Sequence, residues 1–388
     1  MRTTAAEGFG GSPSSASSTP FRGFTGISLR RHQVASEEEV HQLDLLHSHL
    51  ADYLKSLLQS PAAASDSKSL SPPPAAAATT LSLPFLHKLL DALLTCQADF
   101  KSLLLLVLSQ NPSLVSRPSI DRTVSDLVDR AVKVLDLCNA VSISLQSLRH
   151  WSRHADIVAS ALHRPGSPSI PPQLTRAQRA LSKLLLSSPS CFNASSSTSR
   201  RMCRICSATK HLYGLTSGLS ATRGGDSGSA AVLGLAVHTI SSLLHFTMWV
   251  MVNSFPCGEE AMPPLPPVPS AARQMPWAAT MAALHDRIAE EVRKERKEVG
   301  MPVTAGMLAE TVAVKRSGRK VMEKVNSGDT PEEAAEELAA ATRKLEEGLG
   351  PFERKLREVF HRFVRWREEV LRCLDECRAS SASPMNSR

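Results

Sequence analysis

The stretch AAVLGLAVHTISSLLHFTMWVMV, residues 230–252, decides how the rest of the chain is organised. It lies inside a run, residues 227–258, that contains no Asp, Glu, Lys or Arg. A helix that rises about 1.5 Å per residue would carry this stretch across a hydrocarbon core of about 30 Å. We therefore predict a hydrophobic helix over residues 230–253, with a membrane segment marked by Ala230, Leu235, Ile240, Leu244, Trp249 and Val252.

Two environments for this helix remain open. A single membrane pass is favoured by its length, by Trp249 near one end, and by basic residues before it against Glu259 and Glu260 after it. The positive-inside rule would then place the N-terminal domain in the cytosol. Burial between two domains, or docking on a membrane, is favoured by His238 and His245, which make the helix only moderately apolar. The prediction is a membrane-associated protein with a cytosol-facing N-terminal domain and room for a cytoplasmic pool.

Composition favours helices on both sides of this stretch. The chain has 388 residues, enough for two domains with cores, and only 4% of them are aromatic. Leu and Ala supply most of the apolar side chains, which predicts an all-α fold. The eight Cys are scattered along the chain, and most lie inside apolar helical patterns, as is typical of reduced cysteines in a cytosol-facing protein. The net charge of +8 suits an acidic partner such as anionic lipid or an acidic protein face.

Shifts in composition divide the chain into seven parts. An N-terminal helical bundle and a C-terminal helical bundle are joined by the hydrophobic helix, with Ser/Gly-rich or Pro-rich segments and tails around them. The predicted parts are a disordered tail with a basic-hydrophobic strip (1–35), the N-terminal bundle (36–186), a linker (187–229), the hydrophobic helix (230–253), a Pro-rich spacer (254–276), the C-terminal bundle (277–378) and a disordered tail (379–388).

Capping residues and apolar periodicity set the helices within the bundles. A capping box at Ser36–Glu39 starts the first helix, which ends before Pro61. The other predicted helices run from about 82 to 110, from about 119 to 162, from 175 to 186, from 277 to about 298, from 304 to 326, from about 330 to Gly348 or Gly350, and from Pro351 to about 378.

No catalytic, cofactor-binding or metal-binding residues are predicted. The chain contains no GxGxxG, Walker, HExxH or GxSxG motif, which argues against the common enzyme classes. Cys203 and Cys206, with Cys191 and His211 nearby, could form a zinc site. A single CxxC motif in an irregular region argues against such a site.

Two further pairs of side chains have a functional and a structural interpretation. His238 and His245 share one helix face, where they would act as ligands or pH sensors, or simply pack in the core, and packing is favoured. Cys373 and Cys377, one helical turn apart, are predicted to pack in the core.

The basic runs of the C-terminal half are interleaved with acids at helical spacing. This pattern is typical of a solvated helix face and does not favour nucleic-acid binding. Nothing in the sequence sets the oligomeric state.

Several stretches, taken together, resemble a known family. They are GISLRRHQV (26–34), DRAVKVLDLCNAV (129–141) followed by His150-Trp151, LHDRIAEEVRKERKE (284–298) and LREVFHRFVRWREEVLRCL (356–374), with the uncharged segment where the family has its hydrophobic helix. In this order they resemble the plant BYPASS-related family, in its exocyst-interacting (ROH-like) branch. The resemblance covers most of residues 20–378, although 187–229 and 300–326 depart from the family pattern.

The resemblance implies a plant protein without catalytic residues. One branch implies binding to a subunit of the exocyst, the complex that tethers secretory vesicles to the plasma membrane, and so an effect on secretion and growth. Another branch implies a developmental regulator that restrains a root-derived mobile signal, which arrests shoot growth. The partners expected from the resemblance and the charge are an exocyst subunit and membrane lipid.

Overall fold

The computed structural model describes residues 35–59, 80–162, 171–186, 228–255, 274–299 and 307–382. These residues form helices and short turns and contain no strand, so the predicted all-α class is confirmed. The helices are α1 (Glu37–Gln59), α2 (Leu83–Gln110), a short 3-10 helix (Pro112–Ser116), α3 (Pro118–Leu162), α4 (Pro171–Leu186), α5 (Ser229–Ser254), α6 (Ala278–Val299), α7 (Ala309–Ser327) and α8 (Glu332–Ala382).

The first two helices begin where the capping residues predict. The Glu39 amide donates to Ser36 Oγ at 3.2 Å, and the Ser36 amide donates to Glu39 Oε2 at 3.1 Å, which completes the capping box. Ser82 Oγ accepts the Phe85 amide at 3.4 Å, and a proline lies in the first turn of α2. Local hydrogen bonds therefore fix both helix starts before any tertiary contact is considered.

The hydrophobic helix α5 lies at the centre of the bundle, against α1, α2 and α3. Most of its side chains are buried. The exceptions are half-buried and follow one another at intervals of four, three and four residues, so they form one narrow stripe: Ala231, Leu235, His238 and Ser242. A helix that is apolar on nearly every side, as the sequence has it, is thus covered on nearly every side.

The two longest helices, α3 and α8, run antiparallel along each other. Arg378 on α8 is paired with Asp121 near the start of α3, and Arg149 near its end is paired with Glu353 at 2.6 Å. The helices assigned to the two predicted bundles therefore share one hydrophobic core. Whether residues 36–186 or 277–378 fold alone stays a prediction.

The sequence predicts that a helix ends at Gly348 or Gly350 and that another begins at Pro351. This prediction is wrong, because α8 continues through all three residues. Proline removes one backbone donor, and glycine weakens a helix interior, so local preferences favour a break there. Packing opposes that break, because Leu349 and Phe352 on either side of the proline are buried in the core. The helix also extends to Ala382, a few residues past the predicted end at 378.

Gly348 permits the close approach of α8 to the start of α2. A Cβ atom added there would lie 2.7 Å from Leu83 Cδ1 and 3.3 Å from Leu83 Cβ, and Leu83 is buried. We predict that Gly348→Val lowers the free energy of unfolding by about 1–3 kcal/mol, because α2 and α8 must separate. The measurement is urea-induced unfolding of the full chain.

Gly350 provides the matched control for this substitution. A Cβ atom at Gly350 meets only Arg354 Nη1, at 3.8 Å. Gly350→Ala should therefore raise the free energy of unfolding by about 0.5–1 kcal/mol through helix propensity alone. Equal effects of the two substitutions would show that the contact with Leu83 is not what constrains residue 348.

Candidate functional site: the polar contacts of the central helix

Three polar side chains of α5 are bound to partners on other helices. Ser229 Oγ donates to Glu39 Oε2 at 2.7 Å, and Thr239 Oγ1 lies 3.0 Å from His47 Nε2, both on α1. Arg130 Nη1 on α3 donates to Ser241 Oγ at 3.0 Å. Because an unpaired polar group in an apolar interior is costly, these contacts fix the register of α5 against α1 and α3.

Glu39 is a fully buried carboxylate at the N-terminus of α1. Besides the Ser36 amide and the Ser229 hydroxyl, it accepts Asn111 Nδ2 at 3.3 Å, and Asn111 Nδ2 also lies 3.1 Å from Ser229 Oγ. The positive end of the helix dipole adds to these donors. The carboxylate is thus saturated with partners from three segments, which is the arrangement of a structural tie and not of a free general base.

Arg130 places a positive charge in the interior beside α5. Burial lowers the pKa of its guanidinium, and the nearby charge of Asp126 partly opposes this effect. Burial, and then the charge of Arg130, lower the pKa of His238 and lower that of His245 to about 4. Both imidazoles are therefore neutral near pH 7.

The two histidines do not converge on a ligand. His238 Nε2 and His245 Nδ1 are buried and find no hydrogen-bond partner among the described residues. His238 instead lies 6.3 Å, ring to ring, from Trp277, which directly precedes α6. These contacts are those of packed core histidines, the interpretation that the sequence analysis favoured.

The described residues contain no group of three or more His, Cys, Asp or Glu that could hold a metal ion. The candidate zinc ligands Cys191, Cys203, Cys206 and His211 lie outside the described residues. Cys377 is buried and Cys373 half-buried, both as free thiols, so their predicted place at the core is confirmed.

The other two described cysteines, Cys96 and Cys138, are also buried free thiols. Burial raises the pKa of each to about 12. Thiols with so high a pKa are poor nucleophiles near neutral pH.

The apolar interior around α5 leaves little room for a small molecule. A void of about 10 Å³ lies between α2, α3, α5 and α8, lined by side chains such as Leu93, Val141, Leu244 and Val359. A single water molecule needs about 10–15 Å³ and several polar partners. This part of the interior is therefore a packed core and not a binding pocket.

The residues predicted to mark a membrane segment lie mostly inside the protein. Leu235 is half-buried, and the others are buried among neighbouring helices: Ala230, Ile240, Leu244, Trp249 and Val252. By length and composition α2, α3 and α5 are each apolar enough to cross a bilayer. The most apolar window of α5 is 78% buried by protein, against 56% in α2 and 44% in α3. Contact of these residues with lipid stays a prediction.

Sequence reasoning missed Arg130 as a buried residue. Arg130 lies three residues after Leu127 and four residues before Val134. Both of these apolar residues are buried on one face of α3. This spacing places a charge on a core face and was the available signal. The partner Ser241 is 111 residues away, a pairing that no local pattern contains.

The buried histidines predict a fold that weakens in mild acid. Because the pKa of His245 is lowered to about 4 from an ordinary 6.5, the unfolded chain binds protons first as the pH falls. This single group should lower the free energy of unfolding by about 2 kcal/mol between pH 7 and pH 5. His238 and His47, whose pKa values burial also lowers, add loss in the same direction.

Replacement His245→Leu tests this effect. It should leave stability at pH 7 unchanged or higher, because the unpaired Nδ1 is removed, and should reduce the loss between pH 7 and pH 5. Urea unfolding at the two pH values measures both quantities. An unchanged pH dependence would show that His245 does not resist protonation in the folded state.

Comparison with known proteins identifies close similarity over nearly the whole chain. The family described as Protein ROH1-like matches residues 14–203 and 188–374. Protein ROH1A of Arabidopsis thaliana is 31% identical over 414 aligned positions, covering 92% of this chain and 96% of the relative. Protein ROH1D of Arabidopsis thaliana is 32% identical over 335 positions, covering 75% of this chain and 81% of the relative. No solved structure matches the chain.

Proposed function

The chain belongs to the ROH1-like family, and from this premise we propose that it is a non-enzymatic, membrane-associated interaction protein that binds an exocyst subunit. The resemblance of residues 26–34, 129–141, 284–298 and 356–374 to the exocyst-interacting branch supports this partner. Binding of that subunit would link the protein to secretion and growth. The observation that carries the proposal is the match to the family along the length of the chain.

The absence of catalysis is part of the proposal. The relatives ROH1A and ROH1D are named as proteins and not by an activity. In the described residues, the buried Glu39 carboxylate is saturated and the buried Cys96 and Cys138 thiols have raised pKa values. Groups in these states are poor general bases and poor nucleophiles, which supports a role in binding.

Binding needs an outward surface, and α3 offers one. Val132 and Ile143 are 37% and 39% exposed on the outer face of α3, with Asn139 between them at helical spacing. This helix contains residues 129–141, the most recognisable stretch of the resemblance. Exposed apolar side chains on a rigid helix are the kind of anchor that a protein partner covers.

We predict that the purified chain binds an exocyst subunit in a pull-down, and that Val132→Asp with Ile143→Asp weakens binding about tenfold or more. The matched control is Val40→Asp on α1, which also places an acid at an exposed apolar position, since Val40 is 43% exposed. Absence of binding by the unaltered chain to every exocyst subunit at micromolar concentration would contradict the proposed partner.

The proposed attachment to membranes is peripheral. Spanning would expose α5 to lipid and would separate it from Glu39, His47 and Arg130, which satisfy its polar side chains. Loss of Glu39 and Arg130 would remove the inter-helix partners of Ser229 and Ser241, whereas Thr239 would keep its bond to the Leu235 carbonyl. The buried alternative considered for this helix is therefore the better supported one.

We predict that an alkaline carbonate wash releases the protein from a membrane pellet into the supernatant. Peripheral proteins are released because the wash removes charge-based contacts, whereas a spanning helix keeps its protein in the bilayer. Immunoblotting of the two fractions measures the result, with a known single-pass protein as the control. Retention of the chain in the washed pellet would contradict peripheral attachment and favour a single pass.

A second function follows from the other branch of the resemblance, in which the protein restrains a root-derived mobile signal that arrests shoot growth. Grafting separates the two proposals. A root that lacks the protein, placed beneath a normal shoot, arrests that shoot only under the second proposal.

A further inference from the structure

The middle of α8 carries a line of basic side chains. Arg354, His361, Arg365 and Arg372 are exposed and follow one another at intervals of seven, four and seven residues. At 3.6 residues per turn these positions fall within about 40° of one line along the helix. From Arg354 to Arg372 the line is about 27 Å long, at about 1.5 Å rise per residue.

Three acidic side chains of the same stretch form ion pairs with basic side chains outside the line. Glu358 is bound by Lys355 at 2.8 Å, and Glu369 by Lys101 of α2 at 2.6 Å. Glu353 is bound by Arg149 of α3 at 2.6 Å. The acids that flank the line are thus neutralised by cations of α8 itself or of its neighbours α2 and α3.

The arginines of the line keep their charge unpaired. Among the residues that the structure describes, no acidic side chain pairs with Arg354, Arg365 or Arg372. Glu368 is exposed beside the line, and Glu347 precedes it on the same face. The stretch between Arg354 and Arg372 therefore presents three unpaired guanidinium groups against one free carboxylate, and its positive charge ends at Glu347.

The chemistry of the line fits a phosphate-bearing surface. Guanidinium groups bind phosphate oxygens in a bidentate manner and are weakly hydrated. α2, α3, α7 and the 3-10 helix pack on α8, and the four positions of the line are exposed beside these contacts.

The surroundings of the line favour lipid over protein as its partner. The large apolar side chains that the described structure exposes are Val40, Leu105, Val132, Ile143 and Leu186, and none of them lies on α8. A specific protein interface usually has an apolar centre that water leaves on binding. A membrane bearing anionic lipid needs only charge, at about 1 kcal/mol for each basic residue near its surface.

We propose that Arg354, Arg365 and Arg372 form a binding surface for anionic phospholipid headgroups. This inference rests on the proposed membrane association and assigns a surface to it. The contact is electrostatic, lies flat along α8 and leaves α5 inside the bundle. It also leaves the outer face of α3 available to a protein partner.

The test is sedimentation of the full chain with vesicles of phosphatidylcholine that contain phosphatidylserine. The unaltered chain should bind these vesicles, should release them as salt is raised, and should not bind vesicles of phosphatidylcholine alone. The triple variant Arg354→Gln, Arg365→Gln and Arg372→Gln should bind about 100-fold more weakly. Because the three positions are exposed, its thermal unfolding should match that of the unaltered chain.

A charge-matched control separates the surface from net charge. Arg176→Gln, Arg179→Gln and Arg293→Gln remove three exposed arginines from α4 and α6, and this variant should bind vesicles nearly as the unaltered chain does. Equal losses in both variants would overturn the proposed surface and leave only a general effect of charge.

Two further results would also overturn the inference. One is vesicle binding by the triple variant that equals that of the unaltered chain. The other is an unaltered chain that does not bind the phosphatidylserine vesicles. If the triple variant then also loses an exocyst subunit in the pull-down, the line is a protein-binding surface. In both cases the pull-down with the unaltered chain still decides the proposed function by itself.

Discussion

The fold depends on burying a helix that carries no charge but is not free of polar groups. α5 is covered by α1, α2 and α3, and three of its buried hydroxyls, those of Ser229, Thr239 and Ser241, need partners on α1 and α3. Glu39, His47 and Arg130 supply them, at donor–acceptor distances between 2.7 and 3.0 Å. These contacts explain why buried charged and imidazole groups are found on α1 and α3, in positions where aliphatic side chains would pack more simply.

The same constraint separates what the sequence predicts from what it does not. The starts of α1 and α2, the length of α3 and the course of α5 follow from capping residues and apolar periodicity, which are local. The continuation of α8 through Pro351 does not, because burial of Leu349 and Phe352 overrides the local preference. Pairings such as Arg130 with Ser241 join distant residues, and a pattern within one helix cannot contain them.

The chemistry of the interior and that of the surface point to the same kind of protein. Inside the described helices, polar groups are used to hold helices together, and buried thiols have a raised pKa. Outside, apolar side chains are exposed on α3, and exposed arginines without an acidic partner among the described residues lie along α8. These surfaces are where the binding role proposed for this member of the ROH1-like family would lie.

The separation in sequence between α1 and α5 has a consequence for synthesis of the chain. The hydrogen-bond partner of Glu39, Ser229, lies 190 residues later in the chain, and that of His47, Thr239, lies 192 residues later. Until residue 254 has been synthesised, α1, α2 and α3 lack the helix that they cover in the folded protein. Contacts of such long range slow folding and leave nascent chains prone to aggregation. The contacts that satisfy Glu39 and His47 can therefore form only late in synthesis of the chain.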